Sequence, residues 1–258
     1  MSQKQLATLL GVSQGRVSQI ETARYSLTPE TIARLADALG LSAAVREELT
    51  AYLADLQTEV LSLRLATRRG HRANQARVGA AEEAASSMAT YHMALIPGLL
   101  QTAPYARHML SVLLPDLTGV DELVAGRMER QRILYDDSRR FRFLLTEWVL
   151  RTRLAPPSVL RGQIDRLVTL ADGFAHVEIR VLPVGGAQPK AWAMSSFDLI
   201  DDEYVWVELQ ASEVITRDAG EVARYRATFE GLWDSALAGA PMVALLRDVD
   251  AWLAGLPG

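Results

Sequence analysis

Cysteine is absent from the 258 residues, which excludes disulfides, thiolate zinc sites and cysteine nucleophiles. That absence suits a reducing cytoplasm, the expected location. Lysine is nearly absent too, with only Lys4 and Lys190. The other bases are arginines. Either the guanidinium fork is wanted for phosphate or base edges, or the arginines reflect the codon usage of a GC-rich genome. No apolar run reaches the ~18 residues of a membrane span, and no charged segment leads into a short apolar one at the start. Neither secretion nor a membrane span is expected. The histidines, His71, His92, His108 and His176, lack ligand spacing, so no metal is expected. There is no glycine-rich phosphate loop, nucleophile elbow or paired-carboxylate motif, and Gly185-Gly186 after Pro183 reads as a turn. No cofactor is expected, and an enzyme is not. Excess positive charge is also missing. At a net charge of −4, any DNA contact must come from a local surface.

What is present begins with short, well-punctuated helices. Ser2 with Gln5 makes a capping box, and Gly11 ends the first helix. Ser13 caps a second. Thr28-Pro29 starts a third, with proline at the first helical position, and Gly40 stops it. Ser42 caps a fourth through Val45, Leu49 and Leu53. Residues 62–77 hold five arginines and no acid, and Gly70 interrupts them. This run is a linker or the polar start of a helix. Its Arg68, Arg69 and Arg72 are expected to steepen the salt dependence of any DNA binding. The alanine-rich stretch from Val78 to Ala94 reads as helix.

Beyond residue 95 the texture changes. Pro97-Gly98 and Pro104 break the chain, and helices follow at 104–114 and 121–136. Phe141, Phe143 and Leu145 alternate as in a strand. Pro156-Pro157 open a helix over 158–173. Further strands read at Val177 to Val181, Phe197 to Ile200 and Tyr204 to Leu209, the last two as a hairpin around Asp201-Asp202. Asp218 and Glu221 cap an amphipathic helix carrying Val222, Tyr225, Phe229, Leu232 and Ala236, and a final helix spans 241–253. The expected fold is mainly α: an N-terminal helical domain plus a C-terminal α+β domain with a small, largely antiparallel sheet. The expected domains are 1–60, an arginine-rich linker or helix at 61–79, and 80–258.

The first two helices satisfy the demands of a helix-turn-helix. Ala7 is small enough for the crossing, and Gly11 suits a turn that needs positive φ. Val12, Val17 and Ile20 form the buried side of the second helix, opposed by Leu6 and Leu10. Gln14, Gly15, Ser18 and Gln19 are left outward, with Arg16 at the flank and Ser13 at the cap. Glutamine and arginine pair bidentately with adenine and guanine edges in the major groove. Gln3 and Lys4 open the first helix, where amides and side chains meet phosphate. The pattern of Gln3, Leu6, Ala7, Gly11, Val12, Ser13, Val17, Ser18, Ile20 and Glu21, backed by Thr28 to Leu41, resembles the lambda-repressor-like (XRE, Cro/CI-type) family. The resemblance covers residues 1–55. It implies duplex DNA as partner, base reading by Gln14, Gly15, Ser18 and Gln19, and dimers on paired half-sites. The family normally has another helix before the position of Ser2, and the pattern here lacks that first helix. Either the start lies upstream or the reader is damaged, and the first is the expectation.

The remainder resembles the uncharacterised domain that follows such a helix-turn-helix in many actinobacterial regulators. The matching elements are Ile96 to Thr102 with Tyr105-Ala106, then Arg127 with Arg130-Gln131, Thr146-Glu147 with Leu150-Arg151, Gln163 with Leu167, Val181 to Pro183, and Phe197. The resemblance implies transcriptional or developmental control, often beside a small partner protein encoded nearby. Leu99, Gln101, Tyr105, Arg127, Arg130 and Glu147 are the candidate effector or partner site. Pro97 to Leu100 reads as a buried turn or a loop over a pocket. Arg127, Arg130 and Arg132 read as a solvated face or an anion site. Glu147 reads as a buried carboxylate paired with Arg127 or Arg151. Trp148, Trp192 and Trp206 read as core or as pocket walls. The expected function is a sequence-specific DNA-binding regulator whose C-terminal domain senses a protein partner or small effector. The alternative is an adaptor or antitoxin-like protein that does not bind DNA.

Overall fold

A computed structural model of the chain describes residues 2–21, 28–62, 71–114, 118–209 and 212–256. Arg64, Arg68 and Arg69 of the arginine-rich run lie outside these residues, and the side chain of Arg72 is not described. Two compact units divide the chain, Met1–Glu59 and Val60–Gly258.

The first unit is helical. Helices α1 (Gln3–Leu10), α2 (Gln14–Glu21), α3 (Pro29–Leu39) and α4 (Ala43–Gln57) follow one another. The caps explain their limits. The Ser2 hydroxyl accepts from the Gln5 amide while the Gln5 side chain accepts from the Ser2 amide. Gly11 sits at φ 63°, where its amide reaches back to α1 carbonyls. Thr28 caps α3, and Gly40 closes it in the same left-handed conformation. Ala7, Leu10 and Val17 are buried together, with Leu6, Val12, Leu35 and Ala38 packed around them. Arg34 of α3 donates to the Leu10 carbonyl at the turn, and Arg46 of α4 pairs with Asp37 of α3.

The second unit is built on a mixed sheet. Its strands are β1 (Thr58–Ser62), β2 (Ser87–His92), β3 (Arg140–Thr146), β4 (Val177–Leu182), β5 (Phe197–Ile200), β6 (Tyr204–Glu208) and β7 (Ser212–Thr216). They run in the order β1-β7-β6-β5-β2-β3-β4. The sheet is not small, which corrects the expectation, and it is mixed: parallel pairings stand beside the antiparallel ones. Strands β2, β3 and β4 are parallel neighbours. Helices α6 (Ala103–Leu113) and α7 (Val120–Arg130) fill the crossover from β2 to β3, and α8 (Glu147–Arg151) and α9 (Pro157–Gly173) fill that from β3 to β4. Strands β5, β6 and β7 pair antiparallel in sequence, and β5 is also antiparallel to β2. Reading Val78 to Ala94 as one helix hid β2, because α5 (His71–Ala84) ends in that stretch and the strand begins within three residues.

Each sheet face carries a core. Met88, Phe141, Phe143, Leu145, Ile179 and Val181 point to one side and pack with α9 and α11 (Gly239–Ala254). Tyr91, Leu144, Phe197, Leu199, Val205 and Val207 point to the other, against Phe229, Leu232 and Trp233 of α10 (Ala219–Trp233). Arg142 lies over the Trp233 ring at 4.4 Å and holds Glu230 through two hydrogen bonds of 2.6 and 2.8 Å.

Candidate functional site

In the first unit, Val17 is fully buried and fixes the rotation of α2. That rotation leaves Gln14, Gly15, Arg16 and Gln19 exposed and Ser18 half-buried. Ser13 caps the helix by accepting from the Arg16 amide at 3.2 Å. Gln3 is half-buried beside this surface. It accepts from Gln14 Nε2 at 3.4 Å and donates to Glu21 at 2.5 Å, so its amide spans both ends of α2. Lys4 is exposed one residue on. The structure thus gathers the sequence-predicted base readers on one side of α2, with Gln3 and Lys4 at the start of the helix behind it.

In the second unit, a cavity of about 210 Å³ lies between the sheet and the helices α5, α6 and α7. Its floor follows the strand period of two. Met88, Thr90 and His92 of β2 contribute, then Phe143 of β3, Asp198 and Ile200 of β5, Trp206 and Glu208 of β6, and Glu213 of β7. Thr90 stands opposite Phe143 on one side and Asp198 on the other, and Asp198 stands opposite Trp206. The roof carries Glu82 of α5, Gln101 and Leu99 of the loop, and Arg127 and Arg130 of α7.

Charge is concentrated here. Arg130 donates through Nη1 to Glu82 at 3.0 Å. Arg127 donates through Nη1 to the Gln101 side chain at 2.6 Å. His92 lies 3.8 Å from Asp198. Arg77 pairs with Glu213 and stacks over Trp206, 4.4 Å from its centroid. Burial raises the Glu82 carboxyl to about 7, against the opposing pull of Arg130. Burial first, and neighbouring Arg130 next, lower Arg127 to about 10. Among the described residues, the buried side-chain polar atoms without a hydrogen-bond partner are Thr90 Oγ1, Arg127 Nε and Arg130 Nε. All three belong to residues lining this cavity.

The loop from Ile96 to Thr102 is held by glutamines. Gln101 donates to the Ile96 carbonyl at 2.7 Å. Gln131 donates to the carbonyls of Gly98 and Gln101 at 3.0 and 2.7 Å. Gln163 donates to Leu100 at 2.8 Å and accepts from the Thr102 amide at 2.7 Å. The loop is therefore a buried turn and a cavity wall at once. Leu99, Gln101, Arg127 and Arg130, four of the sequence candidates, line the cavity together. Two other candidates do not join them. Tyr105 is fully buried in the core, its hydroxyl 3.4 Å from the Ile96 amide. Glu147 pairs with Arg151 at 2.5 Å and accepts from the Val184 amide at 2.7 Å, outside the cavity lining. Trp206 is a wall, whereas Trp148 and Trp192 are exposed. Arg132 points outward and pairs with Glu129.

Sequence reasoning missed Glu82, Thr90, His92, Asp198, Glu208 and Glu213. The one available signal was polar residues at every second strand position, which reads as a solvent face when the sheet is taken to be small. Chemically, the site offers N–H donors to an acceptor. Among the described residues no cluster of three His, Asp or Glu side chains could hold a metal ion, and no helix is long and apolar enough to cross a membrane.

Residues 75–248 match the family model of a domain of unknown function, DUF5753. Residues 1–49 match that of a helix-turn-helix domain, which suggests DNA binding. No curated protein matches the chain. Among solved structures, NucT from Helicobacter pylori is 8% identical, with a TM-score of 0.40, covering 70% of this chain and 98% of that one. The archaeal chromatin protein TrmBL2 is 15% identical, with a TM-score of 0.35, covering 80% and 66%. The phospholipase D family member Nuc from Salmonella typhimurium is 11% identical, with a TM-score of 0.37, covering 70% and 97%.

Proposed function

We propose that this chain, which belongs to the DUF5753 family and carries a helix-turn-helix domain at its N-terminus, is a sequence-specific transcriptional regulator of the XRE type. The observation that carries the reading is the rotation of α2: Val17 is buried, and Gln14, Arg16 and Gln19 face outward. Gln14 and Gln19 are the base readers, by bidentate pairing with adenine edges. Arg16 serves guanine or phosphate. Gln3, Lys4 and Ser13 position the unit on the backbone, and Gly15 lets α2 approach the groove closely. The regulator acts as a dimer on two half-sites, in the cytoplasm of an actinobacterium. The second unit is the receiver of its signal, a small effector or a protein encoded nearby. In this role the chain binds and responds, and no reaction is assigned to it.

Selection of duplexes from a random library by the full chain tests the reading. Enrichment of one motif, arranged as an inverted repeat, is expected. Retention of DNA with no enriched motif would contradict it, and no retention of DNA at all would favour the adaptor alternative.

A further inference from the structure

We propose that the cavity roofed by α5 and α7 is a binding site for a small, largely apolar carboxylic acid, its carboxylate received by Arg127 and Arg130 and its body lying against Met88, Phe143 and Trp206.

Three observations carry this. First, the described residues leave three buried polar side-chain atoms without partners, and all three belong to residues that line one cavity. A buried donor without an acceptor is costly and rarely kept. The two Nε–H groups need acceptors, and the Thr90 hydroxyl, on a residue only 2% exposed, can supply or accept one more bond.

Second, the charges inside do not all cancel. Glu213 is taken by Arg77, and Asp198 faces His92. Glu82 is taken by Arg130, and Glu208 lies close enough to act on Arg127 electrostatically without hydrogen-bonding it. Among the described residues, Arg127 has the neutral Gln101 as its hydrogen-bond partner. A carboxylate would give its Nε–H a charged acceptor, which neither Gln101 nor water does. A multiply charged phosphate would be repelled by Asp198 and Glu208.

Third, the space is the right size for a ring or a short chain. At about 210 Å³ the cavity exceeds the ~150 Å³ void that takes benzene and falls below the ~300 Å³ of drug-sized pockets. One wall is apolar, with Met88, Phe143 and Trp206 all buried.

Binding by this site does not depend on DNA. Only its use as a regulatory input rests on the function proposed above. The test therefore uses the full chain without DNA, labelled so that arginine Nε–H resonances are visible by NMR. The probes are benzoate and hexanoate, with benzamide and hexanamide as neutral controls and inorganic phosphate as a separate arm. Both acids should bind saturably, shift the Arg127 and Arg130 Nε–H signals, and bind at least about tenfold more tightly than the amides. Arg127→Gln should weaken the acids by about tenfold or more, and Arg132→Gln, on the exposed face, should not. Thr90→Val gives a second, nearly isosteric variant if Arg127→Gln fails to fold, and it should also weaken the acids. Equal binding of acids and amides, binding of phosphate alone, no saturable binding, or acid affinity unchanged in both cavity variants would each overturn the proposal.

Discussion

Arg130 bonds to Glu82 through Nη1 at 3.0 Å, yet its Nε has no partner among the described residues. The pair joins α7 to α5 over the cavity, and the guanidinium is only half satisfied by it. Arg139 fixes the Glu82 end of the pair. Its Nη1 donates to the carbonyls of Glu82, Glu83 and Ala85 at 3.2, 2.7 and 2.9 Å, closing the C-terminus of α5. A rigid acid and a partly free base therefore sit side by side.

Glu82 should make stability fall as pH rises. Its carboxyl is raised from 4.5 to about 7, so the folded chain keeps a proton that the unfolded chain releases above 4.5. That contribution is fully present below 4.5 and is lost as pH rises through about 7. Denaturant unfolding of the parent and Glu82→Gln should show the parent losing up to about 3 kcal/mol relative to the variant across that window. A pH-independent difference between the two would contradict the raised carboxyl.

The same substitution should have opposite signs at two helical glycines. A Cβ on Gly79 would lie 2.8 Å from Arg130 Cδ, so Gly79→Ala must displace Arg130. It should cost about 1 kcal/mol despite alanine's better helix propensity. A Cβ on exposed Gly162, in α9, meets nothing within 4 Å. Gly162→Ala should stabilise by up to about 1 kcal/mol. Thermal unfolding of both variants checks the contrast, and equal shifts would refute the close approach at Gly79.

Leu10 is 2% exposed in the small core of the first unit. Leu10→Ala should cost about 2–5 kcal/mol, comparable to the whole stability of so small a unit. Circular dichroism should then show lost helix, and DNA affinity should fall for all sequences alike. Unchanged helicity would mean that this core does not hold the reader together.

Gln14→Ala and Gln19→Ala should act differently from that. Each should relax base preference by about 1–3 kcal/mol at one position while leaving folding intact. Competition binding with single-base variants of the selected site measures this. A uniform loss across all sites would assign these residues to backbone contact.

The first unit was legible because its signals are local. Ser2 with Gln5, Gly11, Thr28-Pro29 and Gly40 each set a helix boundary by their own backbone chemistry. The hairpin of β5 and β6 was legible for the same reason: Asp201 and Asp202 both adopt positive φ there. Strands β2 and β7 were not. Their cavity-facing positions hold Thr90, His92 and Glu213, so the inner face is partly polar and the apolar alternation blurs. The site was half hidden for that same reason. Arg127 and Arg130 stood out by helical spacing, but Glu82 reaches them from another helix, and Thr90, Asp198 and Glu208 are brought together by strand register.

Genome-wide occupancy of the full chain, measured beside a Gln14→Ala/Gln19→Ala double variant, tests the central claim most directly. The account predicts discrete peaks sharing one motif for the parent, and loss of that motif for the variant. Identical occupancy by the two, or no shared motif under the parent's peaks, would contradict it.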